Sequence, residues 1–508
     1  MKTLHERHER RWMALLGASA LALASGCGAE VLEPEASPPP PGVAEEAEDL
    51  HPERRGIGAL PEMVPTGPSA MLVTVDPRRS LVVTDQNILS GFSFSLVMSQ
   101  LVSTSGVTTT ELDLFHQWWD TARPAPGLGL GAHCDSAGIA NMNGFPYTCP
   151  RKEGDQALVD PFDTPTTNPN AYIPVGLFNR FDLAPNRGTN CGEYRIAYAK
   201  RSGITNGFDR NLIIFEAVLP NPNPDRGLEG CRPVADFWAG LSTDPDPISR
   251  ASKLRTFYFI GLPGFMPVVH IDNYGNRNTG AGQVRTNQFM QSNWLLREFK
   301  VRKECNVLPC ALRFVPVTVK TNPGGTLFNP ASAHAQAANF QGSAFPGQVS
   351  RLAVNDLNLF TMFTSDVHNS GQSDAQSTTE NHYVNQFGVG LNPFRTNIQT
   401  QLTSIGSALT PDNIVARAQA QSCAGCHQFS NGANLGGGLI WPFSLRFTHV
   451  SESTEVGPDG ARHRISQALT NVFIPHRKVV FETFINAACG DGVCNPWEST
   501  TLCPADCP

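Results

Sequence analysis

Thirteen cysteines constrain this chain of 508 residues more tightly than anything else in it. What they can do depends on the compartment, and the N-terminus points to one. Lys2, Arg7, Arg10 and Arg11 form a basic stretch, and Trp12 to Ala24 is a short apolar run. Ala24, Ser25 and Gly26 then lead into Cys27. That order reads as a secretory signal over residues 1–26, and the apolar run is short for a membrane-spanning helix. Export puts the chain in an oxidising compartment, where cysteines are paired or derivatised.

Six cysteines fall along the chain as Cys134 and Cys149, Cys191 and Cys231, Cys305 and Cys310. Sequential pairing is expected, each bridge contributing roughly 2–4 kcal/mol, although sequence alone leaves other connectivities open. Four more, Cys489, Cys494, Cys503 and Cys507, crowd the C-terminus. Cys423 and Cys426 stand apart in a motif of their own.

From Gly28 to about Ser69 the chain turns to Pro, Glu and Ala, with an acidic run from Glu45 to Asp49. Such a segment cannot bury enough apolar surface to fold, so residues 27–69 read as a tether. Ala24-Ser25-Gly26-Cys27 resembles a bacterial lipobox, with Ala24 where that pattern prefers Leu. The resemblance implies lipidation at Cys27, a membrane partner through the anchor, and a place in the cell envelope. Gly28 rather than Asp after the cysteine points to the outer membrane. A net charge of −7 and a pI near 6.0, without a basic patch, set nucleic-acid binding aside.

Residues 421–427 read Gln-Ser-Cys-Ala-Gly-Cys-His. Two thiols three residues apart can each add to a haem vinyl group, and the next histidine can bind the iron. A thioredoxin-like redox pair would instead follow a strand, and a zinc pair would need a second pair nearby. Thr410-Pro411-Asp412 is a helix start, and Ile414, Val415, Ala418 and Ala420 continue it into Cys423. A helix running into Cys-x-x-Cys-His resembles the opening of a cytochrome c domain over about residues 405–450. The resemblance implies one covalent haem c on Cys423, Cys426 and His427, in a mainly helical domain spanning 326–487. No Met follows Met362, so His449 is the first candidate for the sixth ligand, with His463 and His476 next. Gly432, Gly436, Gly437 and Gly438 allow close approach to a porphyrin, and Trp441, Phe443 and Phe447 are candidate walls.

Residues 70–325 show short β-prone runs, Met71–Val75, Leu81–Thr84, Tyr194–Ala199, Leu212–Val218, Val268–Ile271 and Leu312–Val319. Helical stretches at Glu111–Thr121 and Ala251–Ile260 make this an α+β domain. Its polar clusters Asn179–Asp182, Gly192–Arg195 and His116–Asp120, with His368–Asp374 further on, match no known catalytic spacing. Each also reads as structural hydrogen bonding. The expected fold class is therefore α+β: a large sheet-based N-terminal domain, a helical cytochrome c-like domain and a small disulfide knot.

The knot, residues 488–508, is too small for a hydrophobic core. It resembles the Cys-rich Lin/Notch-type modules of secreted proteins, which implies two disulfides and a calcium ion. Asp491, Asn495, Glu498 and Asp506 are hard oxygen donors of the right kind, the other reading being a metal-free knot. These features lead to an expectation of electron transfer by an envelope-anchored monohaem protein with an unidentified redox partner. A haem peroxidase or oxygenase, with His116 or His368 as distal groups, and a ligand-binding surface protein are the alternatives.

Overall fold

The computed structural model describes residues 72–123, 141–164, 166–291, 293–305 and 308–487, with 494–495, 500 and 504–507 beyond them. Cys27, Cys134, Cys489, Cys503, Asp491 and Glu498 lie outside the described residues.

An eight-stranded antiparallel sheet organises the chain. Its strands are β1 (Val82–Val83), β2 (Tyr172–Arg180), β3 (Asn190–Lys200), β4 (Asn211–Pro220), β5 (Gln283–Gln288), β6 (Leu295–Glu304), β7 (Ala311–Val317) and β8 (Gln372–Asp374). Strands β1 to β6 neighbour one another in chain order. The far edge of β6 is shared, Glu298–Glu304 pairing with β7 and Leu295–Arg297 with β8.

Side chains alternate across a strand, and this sheet uses its two faces differently. Tyr194, Ile196 and Tyr198 of β3, with Ile213 and Phe215 of β4, belong to the main core. Against them pack helices α1 (Phe94–Ser105), α2 (Glu111–Asp120), α3 (Arg232–Thr243) and α4 (Pro247–Phe259). Helix α1 starts where the Ser93 hydroxyl accepts from Leu96 N, and ends at Gly106, whose φ of 62° suits glycine. Thr110 caps α2 in the same way, with Glu111 and Asp113 in the first turn. The opposite face carries Glu193, Arg195, Glu216 and Arg285, the residues one step out of phase.

A second core gathers Phe328, Phe340, Phe345 and Tyr383 with helices α5 (Pro393–Ser404) and α6 (Pro411–Gln421). The described disulfides are Cys191–Cys231, Cys305–Cys310 and Cys494–Cys507. Cys149 is also disulfide-bonded. The first joins β3 to the start of α3, Cα to Cα 5.4 Å, with both cysteines buried.

Residues 326–487 are not a mainly helical, cytochrome c-like domain, and that expectation is corrected. Within them β8 joins the large sheet, and β9 (Val450–Gly457) pairs with β10 (Gly460–Ile465) as a hairpin. Helices α5 and α6 run only 12 and 11 residues. The last helix, α7 (Ile474–Asn486), gives Val480, Phe481 and Phe484 to the main core. The physical reason is that a helix running into two thiols is a local pattern. It dictates what precedes the motif and leaves open what packs around it. No helix among the described residues is long and apolar enough to cross a membrane.

Candidate functional site

Helix α6 presents the motif, and its start is doubly fixed. The Thr410 hydroxyl accepts from Asn413 N, the Asn413 side chain accepts from Thr410 N, and Pro411 fills the first turn. At the other end the Ser422 hydroxyl donates to Gln419 O (2.8 Å) and accepts from Gly425 N (3.0 Å). This second cap opens the turn that carries both thiols. Ala424 N donates to Ser373 Oγ of β8 at 2.9 Å, tying the motif to the sheet.

Cys423 and Cys426 stand outside the disulfides of the described residues. Burial pushes the Cys423 thiol up to about 12, against the pull of Arg285. A redox-active Cys-x-x-C pair works through a lowered thiol pKa, the opposite direction to that of Cys423. Among the described residues no group of three or more His, Cys, Asp or Glu side chains is placed to hold a metal ion.

His427 Nδ1 lies 2.8 Å from the carbonyl oxygen of Phe447. Asn287 Nδ2 donates to the same oxygen at 3.0 Å and sits 3.5 Å from His427 Nδ1. If Nδ1 carried no proton, two acceptors would face each other at 2.8 Å; the proton therefore belongs on Nδ1. That leaves the Nε2 lone pair for a ligand. Burial drives the His427 pKa down to about 4, partly opposed by this hydrogen bond, so the ring is neutral at pH 7.

Both thiols and His427 line a cavity of about 300 Å³, within the size range of small-molecule sites. Its floor is the charged face of the sheet. Arg195 pairs with Glu193 (2.5 Å) and Glu216 (3.0 Å), and Arg285 with Glu216 (3.2 Å) and Glu298 (2.9 Å). Burial pushes the Glu216 carboxyl up, but Arg195 and Arg285 outweigh it and hold the pKa below its usual value. Met362 on one side and Phe473, His476 and Arg477 on another complete the wall. Gln421, also in the lining and buried, has no hydrogen-bond partner for its side-chain Nε2.

His449 comes beside the motif, its ring centroid 4.7 Å from that of His427. Its Nε2 meets Cys426 Sγ at 3.4 Å. His463 is buried in the β9–β10 hairpin with Nδ1 against Ser451 O and does not line the cavity, whereas His476 shares the lining with His427 and His449. His116 and His368 bond to Val159 O and Asn339 Oδ1, away from the cavity.

Arg180, Asp182, Glu193 and Arg195, from two of the polar clusters, do line it. Asn287 and Trp294 were not legible as site residues; the polar run Arg285-Thr286-Asn287 was the available signal. Of the calcium candidates, Asn495 and Asp506 are buried next in sequence to the Cys494–Cys507 bridge. No family model matches the sequence, and no curated protein or solved structure is significantly similar to it.

Proposed function

We propose that the chain carries one haem c, which Cys423, Cys426 and His427 Nε2 would hold, and transfers electrons at the cell envelope, anchored through Cys27. The observation that carries this reading is the state of His427. A part-buried, neutral imidazole with Nδ1–H committed to a backbone carbonyl is what an iron-binding histidine needs. Two thiols outside any disulfide, lining the same cavity, support it. Bound haem would supply a one-electron couple; the chain's part is to fix the imidazole and to present both cysteines on one turn beside it.

The test is expression with a c-type maturation system followed by acid–acetone extraction of the denatured protein. Haem should stay with the polypeptide, and Cys423→Ala with Cys426→Ala should abolish its retention. Freely extracted haem, or none at all, overturns the reading. The anchor is tested separately: Cys27→Ser should move the protein from membranes to the soluble envelope fraction.

One observation favours a second reading, an enzyme acting on peroxide or oxygen. The cavity extends from the thiols over buried Glu216, Arg195 and Arg285, which a plain electron carrier does not require. High-spin ferric iron and CO binding to the ferrous protein would decide for it.

A further inference from the structure

The carbonyl that holds His427 is delivered at a conformational cost. Arg446 and Phe447 have φ of 52° and 69°, consecutive left-handed residues without glycine. Such backbone is unfavourable for residues with a Cβ and persists only where neighbours enforce it. Here they do. Leu445 N donates to Thr448 O at 2.7 Å, closing the turn. Arg210, paired with Glu452, donates to Arg446 O at 3.2 Å and to Thr448 Oγ1 at 3.3 Å. The Phe447 ring meets Phe289 at 4.8 Å between centroids.

Asn287 answers from the sheet. It is buried, and the Trp294 indole N–H, which can only donate, bonds to its Oδ1. That fixes the amide so that Nδ2 faces the Phe447 carbonyl. The oxygen thus receives two donors, His427 Nδ1–H and Asn287 Nδ2–H.

We propose that Asn287, oriented by Trp294, is a positioning residue that sets how strongly Phe447 draws on the His427 proton, and through it the reduction potential of the haem. The inference rests on the haem reading above. A carbonyl shared between two donors accepts more weakly from each. His427 then keeps less imidazolate character, which favours ferrous over ferric iron. Asn287 therefore raises the potential.

The test compares wild type with Asn287→Leu and Trp294→Phe, each expressed with haem maturation. Asn287→Leu should shift the one-electron equilibrium toward the ferric form about threefold to tenfold, or about 28–59 mV lower. Trp294→Phe keeps a ring and loses the indole donor, so it should shift the same way by less. In haem-free protein, the His427 Nδ1 proton resonance should move downfield in both variants as its hydrogen bond strengthens. A merely structural role would lower the melting temperature and leave potential and resonance in place. That result, or a raised potential, overturns the inference. Wild-type protein without covalent haem overturns the underlying haem reading instead. Should Asn287→Leu fail to fold, the potential and Nδ1 resonance of Trp294→Phe decide.

Discussion

His449 Nε2 lies 3.4 Å from Cys426 Sγ, and its Nδ1 is 2.8 Å from the Ser466 hydroxyl. Both ring nitrogens thus have polar partners of their own, and the ring centroid is 4.7 Å from that of His427. His449→Ala should therefore leave the ferric spin state as in the wild type. Met362 and His476 are the remaining methionine and histidine of the lining. Met362→Ala should abolish any methionine–iron charge-transfer band in the far red, and His476→Ala should leave that band in place. Absorption and electron paramagnetic resonance spectra of the three variants check this. A low-spin to high-spin change in His449→Ala alone would return His449 to the iron.

Gly425 separates the two thiols, and a Cβ there would run into the carbonyl of Gln419 and the backbone of Ala420. Both belong to the last turn of α6, so relief would require unwinding the helix that presents Cys423. Gly425→Ala should reduce haem retention severalfold while Ala424→Gly leaves it near wild type. Pyridine haemochrome content per polypeptide is the measurement. Equal retention in both variants would show that the turn is not so constrained.

The parts of this site that were legible in the sequence are local ones. Thr410, Pro411 and Asp412 announce a helix start within three positions, and Cys423, Cys426 and His427 lie within five. The partners of His427 come from elsewhere: Asn287 is 140 positions away. Strands β5 and β6 were also hard to see, because Arg285, Asn287, Arg297, Glu298 and Lys300 interrupt the apolar alternation that marks a strand. Arg285 pairs with Glu298 across the sheet, Lys300 with Glu298 along one strand and Arg297 with Glu153 outside it, so ion pairs replace apolar packing. Conversely, Val268–Ile271 looks like a strand yet forms a buried loop and the start of a 3₁₀ turn, its valines covered by α1 and α4 surroundings in the main core. Apolar burial was read correctly there, and backbone pairing was not.

Arg417 fastens α6 to both segments that close around the motif. Fully buried, it donates to Leu352 O (2.9 Å), Val354 O (2.8 Å), Leu435 O (2.9 Å), Asn355 Oδ1 (2.9 Å) and Gly436 O (3.2 Å). A planar guanidinium can reach these acceptors together; an ammonium cannot. Arg417→Lys should cost about 3 kcal/mol, since each stranded buried acceptor costs about 1–3 kcal/mol and part of the gap admits water. Urea unfolding of haem-free protein measures it, and a loss under about 1 kcal/mol would rule the argument out.

Lys300 supplies the pH test, because it is the buried cation of the network under the cavity. Its ammonium donates to Gly282 O at 2.7 Å and lies 3.7 Å from Glu298. Burial, with Lys320 close by, brings its pKa from 10.5 down to about 7 despite that carboxylate. Between those values the unfolded chain holds a proton that the folded one releases, so stability rises with pH across that window. Below about pH 7 both states are protonated and the full cost of the buried charge is borne. Lys300→Met should therefore be more stable than the wild type at pH 6. Its advantage should shrink steadily from about pH 7 to pH 10, at a rate approaching 1.4 kcal/mol per pH unit. Denaturant unfolding of both proteins across that range checks the sign. An advantage that grows with pH would mean that Lys300 is held charged, with Glu298 outweighing burial.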